Sequence, residues 1–583
     1  MKNDLKASPS LNLLVPADDI SARFQNKTGG GDWANFKPDQ GLDAMRDPRL
    51  VETGNLPGVA SSRPVSGAYI LTVLGLAQFI NTYDTTAMNV AVSRVVHDLH
   101  TTVTGVQMAL ATYALVMAAF MIAGGKLGDV WGKKQVFTLG IALYGSGALM
   151  TALSPNLTVM VLGWSVLEGL GSALMIPAIY AIIPTAFTDG PQRVKAFAII
   201  GAVAGAGAAS GPLLCGLVTT YLSWRVSFAA EVVVVVAVII LQFRLKPPAR
   251  KELRPSFDIT GAILSAAGLG LLVMGILQAN NLATAGVVPI FSLCGSGLIV
   301  LGLFLAWQIY RKRRGKSQLL DPAMLKLKAI KLGLPLTASQ MFMMAGALFI
   351  IPVFQQLALG YQPVMSGLTF LPNTVAMICV SLIASRLATR YGRKWLITSG
   401  LLCMSIGMGV TAFLINSHSS VWAFLPGALL LGTGVGLSMA PLLDLTQSSV
   451  ALERQSEVSG ISRSFANLGS SIGTAVAGAI LIAVLIGGLT GLVSNSSVIS
   501  PDIKPAVEQA IRNDARTMSD QQLSELLQTK DLSDAEAAGL VKINAQARDR
   551  ALRISLASIA LLGLLGVFLS LLLPKDRQRK PDG

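Results

Sequence analysis

The sequence has little charge. Asp, Glu, Lys and Arg make up 13% of its 583 residues, against ~25% in soluble globular domains. Its mean hydropathy is +0.60 and 52% of its residues are hydrophobic, which excludes an ordinary soluble domain and indicates an all-α integral membrane protein. The net charge of +15 does not indicate a nucleic-acid partner, because the basic residues stand in short clusters between apolar segments.

Cysteine and histidine are scarce as well. The 4 cysteines each lie inside an apolar segment, so we expect buried thiols and no disulfide framework or metal site. The sequence contains no GxxxxGK[ST] phosphate-binding loop and no evident Ser/His/Asp arrangement. We therefore expect no enzyme and no ATP-driven transport, and no cofactor beyond a proton gradient. The first 65 residues are polar, so we expect no cleavable signal peptide.

The chain is instead filled by apolar segments of about 20 residues, each long enough to cross ~30 Å of hydrocarbon as a helix. A polar segment at 494–550, before the last of them, shows helix signals, and we expect it to form an external helical lid or a gate. The fourteen predicted spans are 67–90, 104–124, 136–154, 158–182, 196–220, 226–245, 258–279, 287–309, 332–354, 365–385, 396–416, 421–445, 464–489 and 552–573.

The basic residues fall almost entirely in alternate loops, which predicts that these loops are cytoplasmic. Both termini then lie inside the cell, in agreement with an even number of spans. Arg94 and Arg225 are the exceptions. The cytoplasmic set comprises Lys133, Lys134, Arg193, Lys195, Lys246, Arg250, Lys251, Arg254, Arg311 to Arg314, Arg390, Arg393, Lys394, Lys575, Arg577, Arg579 and Lys580.

One segment occurs twice. GKLGDVWGKK at Gly125 to Lys134, the first hinge segment, reappears as SRLATRYGRK at Ser385 to Lys394, the second hinge segment. The offset is constant at 260 positions, and each copy joins two apolar spans. Such an internal repeat predicts that one half of the chain is built like the other.

Three motifs carry a resemblance to a known family. The first hinge segment resembles the loop between helices 2 and 3 of the major facilitator superfamily. YDTTAMNVAV (Tyr83 to Val92) and GAASGPLLCG (Gly207 to Gly216) are similar to motifs of its fourteen-helix drug:proton antiporters. The resemblance implies two six-helix halves with two extra helices between them, and proton-driven export of hydrophobic or cationic compounds. From it we take Gly207, Gly211, Pro212 and Gly216 as the antiporter motif.

The resemblance implies a division of the chain in five parts. We expect a disordered cytoplasmic tail at 1–65, an N-terminal six-helix half at 66–256, and two linker helices with a cytoplasmic loop at 257–331. The C-terminal half, with the external loop, covers 332–574, and a short tail follows at 575–583.

The sequence departs from the family pattern at positions that bear on proton coupling. In the fourth span Ser165 stands where the family has Arg, and Glu168 stands where it has Gln. Val130 replaces an Arg in the first hinge segment, and Thr389 replaces an acid in the second. These departures place the family's usual coupling route in question.

Acids in the middle of a membrane cost at least ~3 kcal/mol on insertion scales and are functional candidates for that reason. Asp84 is predicted to share a polar stripe of the first span with Gln78, Asn81, Thr85 and Asn89. Desolvation disfavours a charged carboxylate, which would make Asp84 a usable proton carrier. A structural hydrogen bond to a neighbouring helix is the alternative interpretation.

Three further acids are candidates. Glu168 lies about 15 Å deep at 1.5 Å per residue, so it either handles protons or bonds to a nearby Ser or Tyr. Glu231 follows Arg225 by six residues, which favours a salt bridge near the outer surface. Asp444 is either an acid where substrate enters or an interfacial polar residue. We predict Asp84 and Glu168 as the proton-coupling residues, with Glu231 and Asp444 as secondary acids.

Two further sets complete the predicted sites. The substrate cavity is predicted to be lined by the stripe residues Gln78, Asn81, Thr85 and Asn89 and by the ninth-span residues Gln340, Met341 and Met344, because methionine adapts to irregular partners. Asp129 is predicted to hold a helix N-terminus and to release it when the halves rock. The predicted hinge comprises Gly125, Asp129, Gly132, Lys133, Lys134, Arg390, Gly392 and Arg393.

The sequence therefore predicts a proton-coupled exporter of hydrophobic or cationic drugs in a bacterial cytoplasmic membrane. We expect it to act as a monomer, with protons, small substrates and the lipid bilayer as its partners. Two alternatives stay open at this point. One is an exporter or flippase of a lipid, amino acid or other metabolite, and the other is a membrane sensor that does not transport.

Overall fold

The computed structural model describes residues 66–187, 189–245, 257–278, 286–417, 419–450, 455–495 and 534–574. The predicted N-terminal tail, most of the predicted external loop and the C-terminal tail lie outside the described residues. Every long element is a helix. The helices are α1 Gly67–Asp98, α2 Val103–Trp131, α3 Lys133–Ala152, α4 Leu157–Ala186, α5 Gly190–Tyr221, α6 Trp224–Gln242, α7 Ile259–Leu277, α8 Val288–Arg313, α9 Lys328–Leu357, α10 Pro363–Tyr391, α11 Arg393–Leu414, α12 Leu425–Gln447, α13 Gln455–Ser494 and α14 Asp534–Leu571.

Thirteen of these helices are long and apolar enough to cross a membrane. The helix outside this set is α1, whose 32 residues include the polar stripe predicted around Asp84. The count of fourteen spans therefore stays a prediction, although α1 packs among the others. α14 runs without a break from Asp534 into the last apolar span, so the end of the predicted external loop is helical and continuous with that span.

The helices pack as two groups joined at two seams. Helices α1 to α6 contact one another, and so do helices α9 to α14. The groups meet chiefly where α2 packs on α13 and where α5 packs on α10, and α1 also contacts α9. α7 lies against α2 and α13, and α8 packs on α7. α8 is the least buried of the candidate spans, as expected of a helix at the lipid-facing edge.

The first hinge segment is mostly helix, which corrects its prediction as a loop. α2 continues to Trp131, and α3 begins at Lys133. Gly132 alone joins them, with φ +110° and ψ 135°, a conformation that is open essentially only to glycine. Gly392 joins α10 to α11 in the same way, with φ +85° and ψ 148°. We call the end of the bundle that carries both segments the hinge end, and the opposite end the far end.

The basic residues after these glycines bind the ends of neighbouring helices. Lys133 Nζ donates to the Ala181 carbonyl of α4 at 3.1 Å, and Lys134 Nζ donates to the Leu245 carbonyl just after α6. In the other half, Lys394 Nζ donates to the Leu571 carbonyl of α14 at 2.5 Å. Cations are favourable at helix C-termini, so these residues hold the helices of each half together.

The two linker helices are fixed by one acid. Asp258 caps the start of α7 by accepting from the Gly261 amide at 2.9 Å. The same carboxylate accepts from Trp307 Nε1 at 2.9 Å and Gln308 Nε2 at 2.8 Å, both on α8. Gln308 in turn accepts from the Leu319 amide at 2.9 Å, which ties the chain after α8 to the hinge end.

The glycines of α5 divide into two kinds. A Cβ on Gly207 or Gly211 would meet the backbone of α1, and one on Gly216 would meet the Pro363 carbonyl of α10 at 2.7 Å. A Cβ on Gly367 of α10 would meet the Pro212 carbonyl at 2.4 Å. The antiporter motif therefore lies where α5 packs closely on both α1 and α10. Nothing lies within 4 Å of such a Cβ on Gly201 or Gly205, so these two glycines do not mark a close helix contact.

Candidate functional site

Asp84 lies at the middle of α1 and is buried inside the N-terminal group of helices. Its Oδ1 accepts from Trp164 Nε1 of α4 at 2.8 Å. Trp164 stacks on Tyr113 of α2, with 5.0 Å between ring centroids. Asp84 Oδ2 is buried without a hydrogen-bond partner in the structure. One oxygen of this carboxyl group is therefore paired, and the other makes no described hydrogen bond.

Glu168 lies at the end of an irregular turn of α4. Residues Val161–Glu168 are π-helical, a rare form that often marks functional sites. Glu168 is completely buried. Its Oε1 accepts from Thr151 Oγ1 at 3.3 Å, while its Oε2 has no partner. The same π-helical segment carries Trp164, so one local irregularity presents both the acid and the indole to α1.

Glu231 is a third buried acid, and its prediction as a surface salt bridge is wrong. The residue is 3% exposed, and its Oε2 accepts from the Tyr144 hydroxyl at 2.5 Å. Arg225 pairs with Asp98 at 3.6 Å and donates to the Ser154 carbonyl at 2.9 Å. Glu231 lies about 1.7 turns deeper along α6 than Arg225 and is buried, and no basic side chain pairs with it in the described part of the chain.

The three acids meet. One carboxylate oxygen from each of Asp84, Glu168 and Glu231 lies within 4.8 Å of the others. Two unit charges ~5 Å apart repel by ~3 kcal/mol at an effective dielectric constant of ~20. Among the described ion pairs, none joins these acids to Lys, Arg or His. We call Asp84, Glu168 and Glu231 the carboxyl cluster.

The predicted polar stripe of α1 divides between two surroundings. Asp84 is 1% exposed and faces α4, whereas Thr85 is exposed. Asn81 Nδ2 donates to Ser172 Oγ of α4 at 2.7 Å. Gln78 is buried with both side-chain polar atoms unpartnered, and Asn89 is buried nearer the far end. The structure thus separates Asp84 from the face that carries Thr85, contrary to the single stripe that the helical spacing predicts.

The predicted cavity residues of α9 are also not alike. Gln340 is 1% exposed and donates to Ser438 Oγ of α12 at 2.7 Å, so it holds two helices together and is not free to contact a substrate. Met341 and Met344 are half-buried. Their place in a substrate cavity stays a prediction.

A cavity of about 150 Å³ opens at the hinge end between the two groups of helices. Arg463 of α13 crosses it, donating to the Tyr180 hydroxyl of α4 at 2.5 Å. Asp129 lies on the cavity wall opposite Ser459 and Gly460, in the first turns of α13. The role of Asp129 at a helix N-terminus stays a prediction. The full lining is Met121, Ile122, Gly125, Lys126, Asp129, Pro177, Tyr180, Ala181, Leu319, Ser459, Gly460 and Arg463.

Asp444 is separate from the carboxyl cluster. It lies at the hinge end of α12 and pairs with Arg393 of the second hinge segment at 3.1 Å. Arg393 also donates to Ser448 Oγ at 2.9 Å. The Asp444 side chain is 63% exposed, so this acid is an interfacial residue that helps to fix α11 on α12. Arg390, in turn, stacks on the neighbouring Tyr391 ring at 5.3 Å.

At the far end the two groups are closely joined. Gln356 of α9 donates to the Val90 carbonyl of α1 at 2.8 Å and accepts from the Ser93 hydroxyl at 2.5 Å. Thr220 Oγ1 accepts from the Val364 amide at 3.0 Å across the α5–α10 seam. Closure at the far end together with a cavity at the hinge end describes a bundle that opens to one side.

Several residues of the site could not be found from the sequence. Tyr144 and Trp164 bond to acids 87 and 80 positions away. Nothing in the sequence around Tyr144 and Trp164 indicates these partners. Trp164 lies in the π-helical segment of α4, from which it reaches Asp84 of α1. The cross-seam contacts of Gln356 and Arg463 span 266 and 283 positions and carry no local signal either.

These structural features indicate the general class of membrane protein to which the chain belongs. The chain is a multi-pass helical membrane protein with two groups of helices, a closed far end and polar groups buried at its centre, which is the architecture of a secondary transporter.

The chain belongs to the Major Facilitator Superfamily, whose family model matches residues 74–474. It is 27% identical over 402 residues to "Multidrug resistance protein Stp" of Mycobacterium tuberculosis (strain CDC 1551 / Oshkosh), covering 69% of this chain and 73% of that protein. It is 29% identical to "Puromycin resistance protein pur8" of Streptomyces alboniger, covering 69% and 79%.

A solved structure shows the same fold. The chain aligns to an auto-inhibited peptide transporter of the POT family with a TM-score of 0.56 at 16% identity, covering 88% of this chain and 99% of that one. The predicted fold class is therefore confirmed, together with the resemblance to drug-efflux transporters of this superfamily.

Proposed function

We propose that this protein is a proton-coupled exporter of hydrophobic or cationic drugs that works by alternating access. The observation that carries the proposal is the buried pair Asp84 and Glu168, with an unpartnered oxygen on each. A drug cargo is supported by the names of the multidrug and puromycin resistance relatives. The chain's basic loops support a cytoplasmic hinge end, because such residues collect inside the cell.

The burial of these acids favours proton binding over a fixed charge. Transfer of an isolated carboxylate to an apolar interior is so costly that the group takes up a proton instead. Trp164 donates to Asp84 and Thr151 donates to Glu168, so each carboxyl group keeps one hydrogen bond whether or not its other oxygen holds a proton. The site can therefore gain and lose protons while both hydrogen bonds persist, although their strength changes with the charge.

Proton binding can act on the far end through α1. The same helix carries Asp84 and, less than two turns further on, the Val90 carbonyl that accepts from Gln356 of α9. Hydrogen bonds to an ionised acceptor are stronger than those to a neutral one. Protonation of Asp84 therefore weakens its bond to Trp164, loosens α1 from α4, and favours separation of the two halves at the far end.

The proposal is tested with purified protein in liposomes that carry a pH gradient, with ethidium and puromycin as probes. We expect the gradient to drive both compounds, and substrate addition to move protons. The double variant Asp84→Asn, Glu168→Gln should bind ethidium but lose gradient-driven movement. Gradient-driven movement at the unmodified rate by this variant would refute these proton sites.

The cargo is tested separately. A susceptibility panel, run on cells with and without the gene, should show protection against several hydrophobic cations. Protection against none of them, together with proton movement on addition of a lipid, amino acid or vitamin, would favour the metabolite exporter. No proton movement with any compound would favour a sensor.

A further inference from the structure

Glu231 is the member of the carboxyl cluster whose presence the sequence did not predict. It comes from α6, whereas Asp84 comes from α1 and Glu168 from α4. All three side chains are buried, and one oxygen of each lies within 4.8 Å of the other two. The acids of three different helices thus share one small volume inside the N-terminal group, away from the seams with the other half.

Among the residues that the structure describes, no positive charge pairs with the acids of this volume. The titratable side chains that face it are Tyr83 on α1, Tyr113 on α2, Tyr144 on α3 and Cys215 on α5. Each of these is neutral at neutral pH. Three ionised carboxylates would repel in three pairs, at ~3 kcal/mol a pair. Most of the cluster must therefore be protonated whenever it is closed off from water.

Tyr144 links Glu231 to the helix of Asp84. Its hydroxyl lies 2.5 Å from Glu231 Oε2 and 3.4 Å from the Ile80 carbonyl, which lies one turn before Asp84 on α1. A hydroxyl carries one hydrogen. When Glu231 is ionised, Tyr144 donates to it. When Glu231 is protonated, it can donate to the Tyr144 oxygen, and the tyrosine hydrogen can turn to Ile80.

We propose that Glu231 is a third proton-holding residue of the transport site, with Tyr144 as the positioning residue that reports its protonation to α1. The cluster then binds more than one proton in each transport cycle. This inference rests on the proposed proton coupling and deepens it, because it assigns the number of protons and the route by which they act on the helix that joins the two halves.

The surroundings of the cluster fit protons better than a metal ion. A hard divalent cation takes six or more oxygen ligands. Here the carboxyl groups are met by an indole N–H from Trp164 and hydroxyl donors from Tyr144 and Thr151. The indole N–H completes the hydrogen bonding of a carboxyl group but cannot ligate a cation. The Tyr113 hydroxyl lies 3.3 Å from Ser172 Oγ, and the neighbouring Phe228 ring carries no oxygen.

The first test counts protonated carboxyl groups by infrared spectroscopy of the purified full-length protein without substrate. The C=O stretch of protonated carboxyl groups should lose the intensity of one group in Glu231→Gln, which keeps the acceptor for Tyr144. Ser227→Ala is the matched control, because Ser227 lies one turn away on α6 and bonds to Tyr83 without an acid. Its spectrum should be unchanged.

Three results would overturn the proposal. The first is equal C=O intensity in the unmodified protein and Glu231→Gln. The second is loss of this intensity on adding Na⁺, Mg²⁺ or Ca²⁺ at constant pH, which would make the cluster a metal site. The third concerns Glu231→Asp, which serves if the glutamine variant does not fold: an unmoved C=O frequency in that variant would exclude a protonated residue 231.

The second test counts transported protons in liposomes. The number of protons moved for each ethidium should fall by one in Glu231→Gln, with ethidium still transported, and an unchanged number would contradict the proposal. Tyr144→Phe should keep the infrared intensity but shift the pH profile of transport, which a purely structural tyrosine would not do. The infrared measurement does not depend on transport. A protein without proton coupling would therefore fail only the liposome test, whereas a Glu231 that holds no proton would fail the infrared test as well.

Discussion

The two halves of the protein repeat the same packing contacts. Thr151 Oγ1 of α3 donates to the Gly147 carbonyl at 2.8 Å, and Thr411 Oγ1 of α11, 260 positions later, donates to the Gly407 carbonyl at 2.8 Å. Asn81 joins α1 to α4 through Ser172 at 2.7 Å, and Gln340 joins α9 to α12 through Ser438 at 2.7 Å. The repeat predicted from the hinge segments therefore extends into the helix cores.

The halves differ in what lies behind these contacts. In the N-terminal half, Thr151 Oγ1 also lies 3.3 Å from Glu168 Oε1, and the carboxyl cluster brings together side chains of α1, α4 and α6. In the C-terminal half, the partner found for Ser405 of α11 is the sulfur of Met343 on α9. Among the residues that the structure describes, π-helix occurs only in α4.

The packing contacts between helices are therefore repeated in both halves, whereas the buried acids of the carboxyl cluster occur in one half of the described structure. Glycines and hydroxyls that let helices approach are duplicated, because both halves must pack in the same way. In the described part of the chain the buried carboxyl cluster is not duplicated, so the proposed mechanism assigns proton binding to the N-terminal half. Four predictions test this division, beginning with the largest expected effect.

Asp84→Asn should reduce gradient-driven ethidium transport to the level of empty liposomes. A potential of 100 mV supplies ~2.3 kcal/mol for each charge moved, and only a titrating group can use it. Exchange of ethidium down its own gradient should persist. The matched variant in the other half is Gln340→Glu, which keeps the side-chain size but replaces the amide that donates to Ser438 at the α9–α12 contact. If Gln340→Glu restores coupling to Asp84→Asn, the chemistry does not depend on which half holds the acid.

Asp129→Asn should slow transport several-fold while leaving the apparent affinity for ethidium within about threefold. Asp129 lines the cavity opposite the first turns of α13, where a negative charge stabilises a helix N-terminus by ~0.3–1 kcal/mol. Its loss shifts the balance between conformations without touching the substrate. Rate and affinity are measured in the same liposomes, and a collapse of affinity at an unchanged maximal rate would contradict this role. The repeat offers a control in Thr389→Val, since position 389 lacks the acid.

Thr151→Val and Thr411→Val compare the two halves directly. Each removes a buried hydroxyl that donates to a glycine carbonyl at 2.8 Å, so each should lower stability by about 1 kcal/mol. Only Thr151→Val also removes the hydrogen bond to Glu168. We therefore expect the pH profile of transport to shift in Thr151→Val and to stay in place in Thr411→Val. Identical profiles in the two variants would show that Glu168 does not titrate during transport.

The sequence predicted local features of this fold better than distant ones. The spans, the repeat and the central acid of α1 follow from hydropathy, spacing and composition, which are properties of a single segment. The surroundings of Asp84 could not be predicted in this way. A spacing of 100° per residue places Asp84 near Thr85 on the helix, but packing against α4 determines which of the two is buried. The predicted salt bridge of Glu231 is wrong for the same reason. Arg225 is near Glu231 in sequence, but the residue that bonds to Glu231 in the folded structure is Tyr144.

The last comparison concerns the two glycines that join α2 to α3 and α10 to α11. Gly132 and Gly392 hold φ values of +110° and +85° with similar ψ values, in a region where a side chain costs ~1–3 kcal/mol. Gly132→Ala and Gly392→Ala should therefore lower the apparent unfolding temperature by similar amounts, measured at one fixed scan rate because large membrane proteins unfold irreversibly. Neither should move the pH profile of transport, since no titratable group is changed. Unequal temperature shifts would mean that the two turns contribute differently to stability. The similarity between the two halves would then be limited to the helix cores. A shifted pH profile in Gly132→Ala alone would mean instead that the first turn is coupled to the carboxyl cluster through α3, which carries Tyr144 and Thr151.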